Sequence, residues 1–586
     1  MEAKHKIQIT KQEFNYIKED NHKLFKSLED NSSIGILEPQ NYNPLYNIFF
    51  ELSNTNNNNI VLNNKLQLHS ILSQETNNIF KCKIKYQNDD KEKRNVYFKY
   101  SPLLDPVKYL LGKYDIKDES LLKLPSFNLS NNCHPKTNNY NNTAYVDSFF
   151  TYLSSILLHE HGFINGMDFY GSFSAMKTDF RINILDEIEY LNESLFFKKN
   201  DKILYELEYI DNDEFNSDTR NYKKKLIFQE NSREKLELSN VTELFNLDDV
   251  NVISDITSEA EIISLDDLNI HIIQSSLNKT ESNDSESCSS RSSNTTICDS
   301  ENKDDSQSED DSQSEDDENN EDDENNENNE DDYSEISNEE EEIVAKLKTF
   351  PVQVIALECC ENTLDHIIMN HEISNELWDS IVIQVLFSLI TFQNTFGLTH
   401  NDLHTNNIMY INTDKLFLYY KLNHIYYKVP THGKIFKIID FGRAIYKFRG
   451  KLLCSDSYHP EGDAATQYNS EPYYNNKKPR LDPNMSFDLC RLGCALYDHL
   501  IEQPKTKIIQ IILNWVNDDK GRNILYKNNG DERYADFKLY KMIARSVNNH
   551  IPVNVLNNSY FDKFIVTKKD LKKKCIMDLD EIPCYM

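Results

Sequence analysis

Export signals, paired cysteines and long apolar runs are all missing from this sequence. Its 586 residues include 11 cysteines but no Cys-x-x-Cys pair, so we interpret the thiols as buried or incidental groups in a reducing compartment. The first residues, MEAKHKIQITKQEF, lack the apolar region of a secretory signal. The longest apolar stretch, IVIQVLFSLI (381–390), is about half as long as a bilayer span requires. We therefore predict an intracellular protein without a membrane partner.

The sequence also lacks an evenly spread acidic surface, although its net charge is −33. Residues 301–342 hold 23 acidic residues against one lysine, Lys303, and so carry a net charge of −22. The rest of the chain carries only −11, which is ordinary for its length. This balance does not indicate a nucleic-acid-binding chain, because such chains carry a basic stripe or patch. We predict no nucleic-acid partner.

Aromatic residues nearly vanish between residues 275 and 342, where Ser, Asn, Asp and Glu dominate. Such a segment cannot bury enough apolar surface to offset its chain entropy, so we predict that it is disordered. Four of its serines have an acidic residue three positions later: Ser306, Ser308, Ser312 and Ser314. Acidophilic kinases prefer this pattern, which predicts that the tract is phosphorylated or that it mimics an anionic partner. We nevertheless favour the interpretation of the tract as a solvated spacer, with phosphorylation or mimicry as the alternative.

Hydrophobic patterning in the first third of the chain predicts a small sheet and a helix. LQLHSIL (66–72), IFKCKIKY (79–86) and NVYFKY (95–100) alternate between polar turns, which is typical of an antiparallel meander. AYVDSFFTYLSSILLHEHG (144–162) has apolar residues at helical spacing and ends on a glycine suited to a helix C-cap. FINGMDFYGSF (163–173) predicts one more strand.

The pattern becomes mainly helical after the acidic tract. FPVQVIALE (350–358) predicts a buried strand, and ELWDSIVIQVLFSLITFQNTFG (376–397) predicts a long helix that stops at its glycine. The remainder, to residue 586, is rich in helical patterns joined by loops. Five strands and one helix followed by a helical half indicate an α+β fold in two parts.

A polar motif follows directly on this long helix. LTHNDLHTNNIMY (398–410) has the form H-x-D-L-x-x-x-N, with His400, Asp402 and Asn407 at the named positions. Phosphoryl transfer needs a carboxylate that accepts the proton of the attacking hydroxyl, together with oxygen ligands that hold Mg²⁺ on the phosphates. Asp402 fits the first role. Asn407 fits the second, because Mg²⁺ prefers amide and carboxylate oxygens.

A second motif follows within forty residues of the first. FKIIDFGRA (436–444) is a hydrophobic strand that ends in an Asp-Phe-Gly triplet beginning at Asp440. The carboxylate of Asp440 is a second candidate magnesium ligand. An Asp-Phe-Gly triplet alone is a weak signal. Both motifs in this order, between a helix and a strand, are a strong one.

On these motifs the chain resembles the eukaryotic protein kinase superfamily, and more narrowly the divergent serine/threonine-type kinases of giant DNA viruses that infect amoebae. The resemblance covers roughly residues 60–175 and 350–550. It implies a two-lobed α+β fold, an activity that uses ATP and Mg²⁺, and a location in the host cytoplasm or in the virion. The implied domains are a polar N-terminal extension (1–60), the first part of a small β-rich N-lobe (61–173), a long, partly disordered insertion in that lobe (174–349), the last N-lobe strand with the hinge (350–360) and a larger helical C-lobe (361–586).

The resemblance implies roles for three more positions. The family has a lysine on its third strand that pairs ATP phosphates with a carboxylate on the next helix, and Lys99 in NVYFKY stands there. Asp147 and Glu160 are the acidic choices on that helix, and the partner's expected place in the first half favours Asp147. SFDLCRLGCALYDHL (486–500) resembles the family's buried central helix, where Asp488 would anchor the backbone of the catalytic loop.

The segment VIALECC (354–360) resembles the hinge between the lobes of a kinase. By this resemblance Leu357 and the backbone from Glu358 to Cys360 would line the adenine site, with backbone groups bonding the edge of the base. The alternative is a core strand followed by the start of a helix, and both descriptions can hold together.

Three departures separate the chain from the family pattern. SILSQETNNIF (70–80), between the first two strands, contains no glycine where the family has a glycine-rich loop over the phosphates. Asn401 replaces an arginine that normally pairs with a phosphate on the activation loop, so we predict activity without such phosphorylation. His404 replaces a phosphate-binding lysine, and a neutral imidazole would stabilise the transferring phosphate less than an ammonium does.

Three functions remain open on the sequence. The leading one is a serine/threonine-type protein kinase that transfers the γ-phosphate of ATP to hydroxyls of a protein substrate, supported by Lys99, Asp402, Asn407 and Asp440. With His404, the loop has the form H-x-D-L-H-x-x-N, which also resembles the loop of small-molecule kinases such as aminoglycoside and choline kinases, so a small-molecule phosphotransferase is an alternative. The missing glycines favour the other alternative, a catalytically weak pseudokinase that serves as a virion-associated nucleotide-binding scaffold.

Overall fold

The structure is a computed structural model that describes residues 16–63, 65–128, 133–211, 341–535, 537–571 and 574–586. Residues 275–340 of the predicted acidic tract (275–342) lie outside the described residues, and its four serines are among them. The prediction that it is a disordered spacer stays a prediction, and so does the alternative that its serines are phosphorylated.

The described residues form a mixed α+β fold, as the patterning predicts. The strands are β1 (Tyr16–Lys18), β2 (Ile36–Gln40), β3 (Ile60–Leu62), β4 (Leu66–Gln74), β5 (Ile79–Tyr86), β6 (Lys91–Pro102), β7 (Phe169–Asn183), β8 (Tyr205–Asp211), β9 (Glu341–Glu358), β10 (Asn362–Thr363), β11 (Ile408–Asn412), β12 (Phe417–Leu422), β13 (Ile425–Pro430), β14 (Lys434–Ile438), β15 (Ile445–Phe448), β16 (Lys451–Cys454), β17 (Ile565–Val566) and β18 (Met577–Asp578). The helices are α1 (His22–Glu29), α2 (Tyr46–Phe49), α3 (Pro106–Leu110), α4 (Thr143–His161), α5 (Ile188–Glu193), α6 (Leu195–Asn200), α7 (Leu364–Asn370), α8 (Asn375–Phe396), α9 (Phe487–Leu500), α10 (Lys507–Asn514), α11 (Phe537–Ser546) and α12 (Pro552–Leu556).

A curled, seven-stranded antiparallel sheet holds most of the first part of the chain. Its strand order is β2-β7-β9-β6-β5-β4, and β8 pairs with β9 off this path. The predicted meander is confirmed as β4, β5 and β6. In β6, Lys99 pairs with Ile355 of β9, so the strand that carries the predicted lysine lies beside the predicted hinge strand.

Helix α4 lies against this sheet and is buried along most of its length. Every residue from Ala144 to Leu157 is buried, because this part of the helix is packed on all sides. The side chain of Asn142 caps the first turn by accepting a hydrogen bond from Ala144. Gly162 ends the helix with φ 66°, the left-handed conformation that glycine adopts without strain, as the sequence predicts.

Helix α8 is the long helix predicted around residues 376–397, and Gly397 ends it in the left-handed conformation. Among the described residues it alone is long and apolar enough to cross a membrane by length and composition, and 83% of its most apolar window is buried inside the protein. Its residues belong to the same apolar cluster as those of α4, with contacts such as Phe150 to Phe392 at 5.3 Å between ring centroids. We therefore assign α8 to the core.

The prediction of a polar extension over residues 1–60 is wrong for the part that the structure describes. Strand β2 pairs with β7 in the large sheet, and α1 packs beneath it with Leu28 fully buried. Phe25 of α1 lies 5.4 Å from Phe173, measured between ring centroids. The apolar residues are too widely spaced among asparagines to reveal this packing as a sequence pattern, since tertiary contacts override weak local propensity.

The boundaries predicted for the insertion (174–349) are also corrected. Strand β7 continues to Asn183 and β9 begins at Glu341, so both strands extend the large sheet into the predicted insertion. The strand predicted over 163–173 begins only at Phe169, because a turn precedes it. Strand β8 adds to the same sheet, which shows that at least the flanks of the insertion are structured.

The packing of α1 gives a stability prediction. Substituting Leu28 with Ala should lower the free energy of unfolding by about 2–5 kcal/mol, because a buried leucine leaves a cavity. Leu37→Ala, in the same segment but at a position 44% exposed, is the matched control and should change stability by less than about 1 kcal/mol. Urea denaturation measures both, and equal effects would mean that residues 16–60 do not pack as described.

Candidate active site

Three side chains from distant parts of the sequence meet in one ion cluster. The ammonium of Lys99 lies 2.7 Å from Asp147 Oδ2 and 3.1 Å from Asp440 Oδ1. Both carboxylates are buried, whereas the lysine side chain is 22% exposed. The structure therefore brings together three of the residues that the sequence assigns to phosphate and metal binding. It also selects between the two acidic choices on α4, since Glu160 is exposed at the far end of the helix.

Each member of this cluster is held by a different element. Lys99 extends from β6, and Asp147 from the first half of α4. Asp440 follows β14 with φ 62°, the left-handed backbone region that non-glycine residues seldom adopt. Asp147 also accepts a hydrogen bond through Oδ1 from the backbone N–H of Phe441 at 2.8 Å. One carboxylate thus fixes both the lysine and the turn that presents Asp440.

The loop from His400 to Asn407 is anchored from below by α9. Asp488 accepts hydrogen bonds from the backbone N–H groups of His400 at 3.0 Å and of Asn401 at 2.8 Å. Burial raises the pKa of Asp488, and these two backbone donors act against that rise. His400 Nε2 lies 2.9 Å from the carbonyl oxygen of Ile439, which joins the loop to the end of β14. The predicted anchoring role of Asp488 is confirmed by these contacts.

Asp402 lies in this loop and is almost buried, at 4% exposure. Its Oδ1 accepts a hydrogen bond from the hydroxyl of Tyr540 on α11 at 2.9 Å. The Nε of Arg491 donates to the same hydroxyl at 2.8 Å, and Arg443 Nε lies 3.9 Å from Asp402 Oδ2. The carboxylate of Asp402 is therefore oriented by a tyrosine and by the field of two guanidinium groups.

Arg443 and Tyr540 are site residues that the sequence does not single out. Arg443 is 2% exposed and forms an ion pair with Asp463. Burial acts to lower its pKa, but the carboxylates of Asp463 and Asp402 outweigh burial and raise the pKa of Arg443. The arginine directly follows the Asp-Phe-Gly triplet, and this position is the only local signal. Tyr540 lies far along the chain on an amphipathic helix and gives no signal at all.

Neutral hydrogen bonds hold Asn401, the position at which the kinase resemblance leads one to expect an arginine. Its side chain is fully buried and its backbone has φ 64°. The side-chain amide donates to the carbonyl oxygens of Thr399 and Arg443, and its oxygen accepts from Tyr468 at 2.7 Å. Asn401 thus ties the loop to neighbouring backbone by neutral hydrogen bonds.

Asn407 and Asp440 are the candidate metal ligands. The amide nitrogen of Asn407 donates to the carbonyl oxygen of Asp402 at 2.8 Å and lies 3.1 Å from His404 Nε2, which leaves the amide oxygen as the atom for a cation. Oxygen donors of this kind suit Mg²⁺. No group of three or more His, Cys, Asp or Glu side chains is placed to hold a metal among the residues that the structure describes. His404 is itself buried and faces Asn407.

The predicted hinge residues lie at the end of β9. Leu357 is buried, and it pairs with Tyr97 of β6. The backbone N–H of Glu358 donates to Asp168, and its side chain accepts from Asp168 N–H at 2.6 Å and pairs with Lys437. The backbone N–H and the side-chain carboxylate of Glu358 are therefore both engaged in contacts within the protein. Cys360 is half-buried, and burial raises the pKa of its thiol.

The turn between β4 and β5 closes without glycine. The backbone N–H groups of Glu75 and Thr76 both donate to the carbonyl oxygen of Ile79. The Asn78 side chain donates to the carbonyl oxygen of Phe98 at 2.9 Å, which ties the turn to β6. Hydrogen bonds from side chain and backbone therefore hold this turn against Phe98, the residue before Lys99 in β6.

The anchoring of the loop by Asp488 gives a second prediction. Asp488→Ala leaves two buried N–H groups without their acceptor and should destabilise the fold by about 3 kcal/mol. Asp498→Ala on the exposed face of the same helix is the control, and its effect should stay below about 1 kcal/mol. Thermal and urea unfolding decide the comparison, and a loss for Asp488→Ala no larger than for the control would contradict the anchoring role.

No protein-family model matches the chain, and no curated protein matches it. The description of the site therefore stands on the geometry of the described residues. That geometry places one ammonium, three carboxylates and one amide around a loop, a helix and a strand end: Lys99, Asp147, Asp402, Asp440 and Asn407.

Proposed function

We propose that the chain is an ATP- and Mg²⁺-dependent phosphotransferase of the protein kinase type, with Asp402 as its catalytic base. The acceptors in this proposal are Ser and Thr hydroxyls of a protein substrate. The proposed architecture is the two-lobed kinase fold. The large sheet with α4 forms the small lobe, the part built on α8 and α9 forms the large lobe, and the end of β9 is the hinge.

The single observation that carries the proposal is the cluster of Lys99, Asp147 and Asp440. One positive and two negative side chains leave this trio with a net charge of −1. A bound divalent cation would change this net charge to +1, which suits anionic phosphates, and the lysine would contact the nucleotide phosphates. Asp402 and Asn407 are joined by a hydrogen bond, and the loop that carries them is joined to the strand before Asp440 through His400. These contacts join the loop of Asp402 and Asn407 to the strand end that presents Asp440, and this supports the proposal.

In the proposed mechanism most of the site residues position the reactants, and only Asp402 takes part in a chemical step by accepting a proton. Lys99, held by Asp147, orients the α- and β-phosphates. Asp402 orients the acceptor hydroxyl and takes its proton as the oxygen attacks the γ-phosphorus and ADP leaves. Asn407 and Asp440 would hold Mg²⁺, which when bound neutralises charge on the phosphates. Arg443 lies 3.9 Å from Asp402 Oδ2, and Arg491 donates to the tyrosine hydroxyl that bonds Oδ1, so both arginines help to orient this carboxylate.

The hydroxyl of Tyr540 stands where an acceptor hydroxyl would bind. It donates to Asp402 Oδ1 at 2.9 Å, which is the contact that an attacking hydroxyl makes with a general base. The acceptor must therefore displace Tyr540 or approach the second carboxylate oxygen. This arrangement suits an enzyme that is closed until its substrate docks.

The same contact favours a second candidate function, a nucleotide-binding scaffold without turnover. Asp402 is 4% exposed and its Oδ1 is occupied, while the turn between β4 and β5 has no glycine to clamp phosphates. Such a protein would use Lys99 and Asp440 to bind nucleotide but would not activate a hydroxyl. Binding of Mg·ATP without transfer of phosphate separates it from the enzyme.

The leading proposal predicts transfer of labelled γ-phosphate from Mg·ATP to a mixture of protein acceptors or to the chain itself. Asp402→Asn keeps the shape of the side chain but cannot accept the proton, so the rate should fall by about 10²–10⁴-fold. Asp414→Asn, at an exposed position shortly after the loop, is the matched control and should retain full activity. Thermal shift with Mg·ATP reports nucleotide binding by each variant.

The outcomes of this experiment separate the candidates. Labelled protein in the wild type and in Asp414→Asn, but not in Asp402→Asn, supports the kinase. A thermal shift with no labelled protein supports the scaffold, unless small hydroxyl compounds become labelled, which would identify a small-molecule phosphotransferase. Neither shift nor label would contradict every nucleotide-dependent function.

A further inference from the structure

The segment that follows Asp440 returns to the N-terminus of α4 and is fastened there by Asp456. Asp456 Oδ1 accepts hydrogen bonds from the backbone N–H of Thr143 at 3.1 Å and from its hydroxyl at 2.9 Å. Asp456 Oδ2 lies 2.6 Å from the ammonium of Lys136. The backbone N–H of Asp456 donates to the carbonyl oxygen of Asn141 at 2.7 Å. The carboxylate is buried, at 5% side-chain exposure.

These contacts use the electrostatics of a helix N-terminus. The first N–H groups of a helix have no intrahelical acceptor, and that end of the helix carries a partial positive charge. The N–H of Ala144 is satisfied locally by Asn142, the residue that caps the helix. The N–H of Thr143 is satisfied by Asp456, which lies more than 300 positions away in the sequence. A carboxylate suits this position better than a neutral side chain, because Lys136 adds a full positive charge beside it.

The fastening lies on the same face of α4 as the ion cluster. Thr143 and Asp147 are four residues apart, so their side chains project from one side of the helix. Thr143 contacts Asp456, and one turn later Asp147 contacts Phe441 and Lys99. The segment from Phe441 to Asp456 is therefore attached to α4 at both of its ends.

The N-terminus of α4 is also tied to the strand that carries the lysine. The side-chain amide of Asn142 donates to the carbonyl oxygen of Leu103 at 2.8 Å, just after β6, and to that of Lys136 at 3.0 Å. The short segment 136–143 therefore both binds Asp456 and ties α4 to the end of the strand that carries Lys99.

We propose that Asp456 is a positioning residue: its permanent carboxylate holds α4 against the segment after Asp440, so that Lys99, Asp147 and Asp440 assemble without any covalent modification of the chain. This inference rests on the proposed function, because the assembled cluster matters only if it binds nucleotide. In this inference one unmodified side chain fixes the geometry of that site when the chain folds, and no later modification regulates it.

Asp456→Asn tests the inference, because it keeps the size of the side chain and removes its charge. The first readout is hydrogen exchange at the amide of Phe441, which donates to Asp147 and needs no ligand. We expect its protection to fall at least about ten-fold as the helix end loosens. The second readout is kcat/KM for ATP, which should fall by a similar factor or more, at a temperature well below unfolding.

Two further variants keep the test decisive. Lys136→Met removes the ionic partner at a partly exposed position, so it should fold even if Asp456→Asn does not, and it should lower the same protection at least three-fold. Asp379→Asn removes another buried carboxylate that pairs with a lysine, Lys563, and it serves as the control for general destabilisation. The control should leave the exchange of Phe441 unchanged.

The outcomes separate this inference from the proposed function. Unchanged exchange at Phe441 in both Asp456→Asn and Lys136→Met overturns the inference, whatever the activity. Faster exchange with unchanged kcat/KM overturns it as well, since the fastening would then be structural only. If the wild type transfers no phosphate, the proposed function fails, and the exchange of Phe441 together with the affinity for Mg·ATP still decides whether Asp456 positions the cluster.

Discussion

The arrangement of the site depends on Asp147, which uses one oxygen for Lys99 and the other for the backbone of Phe441. A strand, a helix and a turn are thereby fixed around one buried carboxylate. Removing Lys99 would leave the buried carboxylate of Asp147 without its cation, and removing Asp147 would leave the N–H of Phe441 without its acceptor, so these contacts favour one geometry. A helix displaced by the length of one side chain would lose both contacts together.

A second buried carboxylate plays the corresponding part for the loop of Asp402. Asp488 accepts hydrogen bonds from two backbone N–H groups of this loop. Tyr540 and Arg443 orient the carboxylate of Asp402 in the same loop. Asp147, Asp456 and Asp488 each accept at least one hydrogen bond from a backbone N–H group. A chain with few glycines thus positions its backbone through side-chain acceptors.

The sequence predicts much of this arrangement, and its failures have physical causes. The meander and the helices α4 and α8 follow from hydrophobic periodicity, which is a local signal, whereas the pairing of Lys99 with Asp147 is what the resemblance to protein kinases implies. The packing of residues 16–60, the orientation of Asp402 by Tyr540 and the ion pair of Arg443 depend on contacts between distant segments. Hydrophobic periodicity and motif spacing are local patterns and do not predict contacts between distant segments.

In the proposed function, the cluster of Lys99, Asp147 and Asp440 binds nucleotide beside the carboxylate of Asp402. A crystal structure of the chain with a non-hydrolysable ATP analogue and Mg²⁺ is the decisive experiment. We expect phosphates at Lys99, the metal ion near Asp440 and Asn407, and the terminal phosphate facing Asp402. A nucleotide bound elsewhere, or no nucleotide at millimolar concentration, would contradict it.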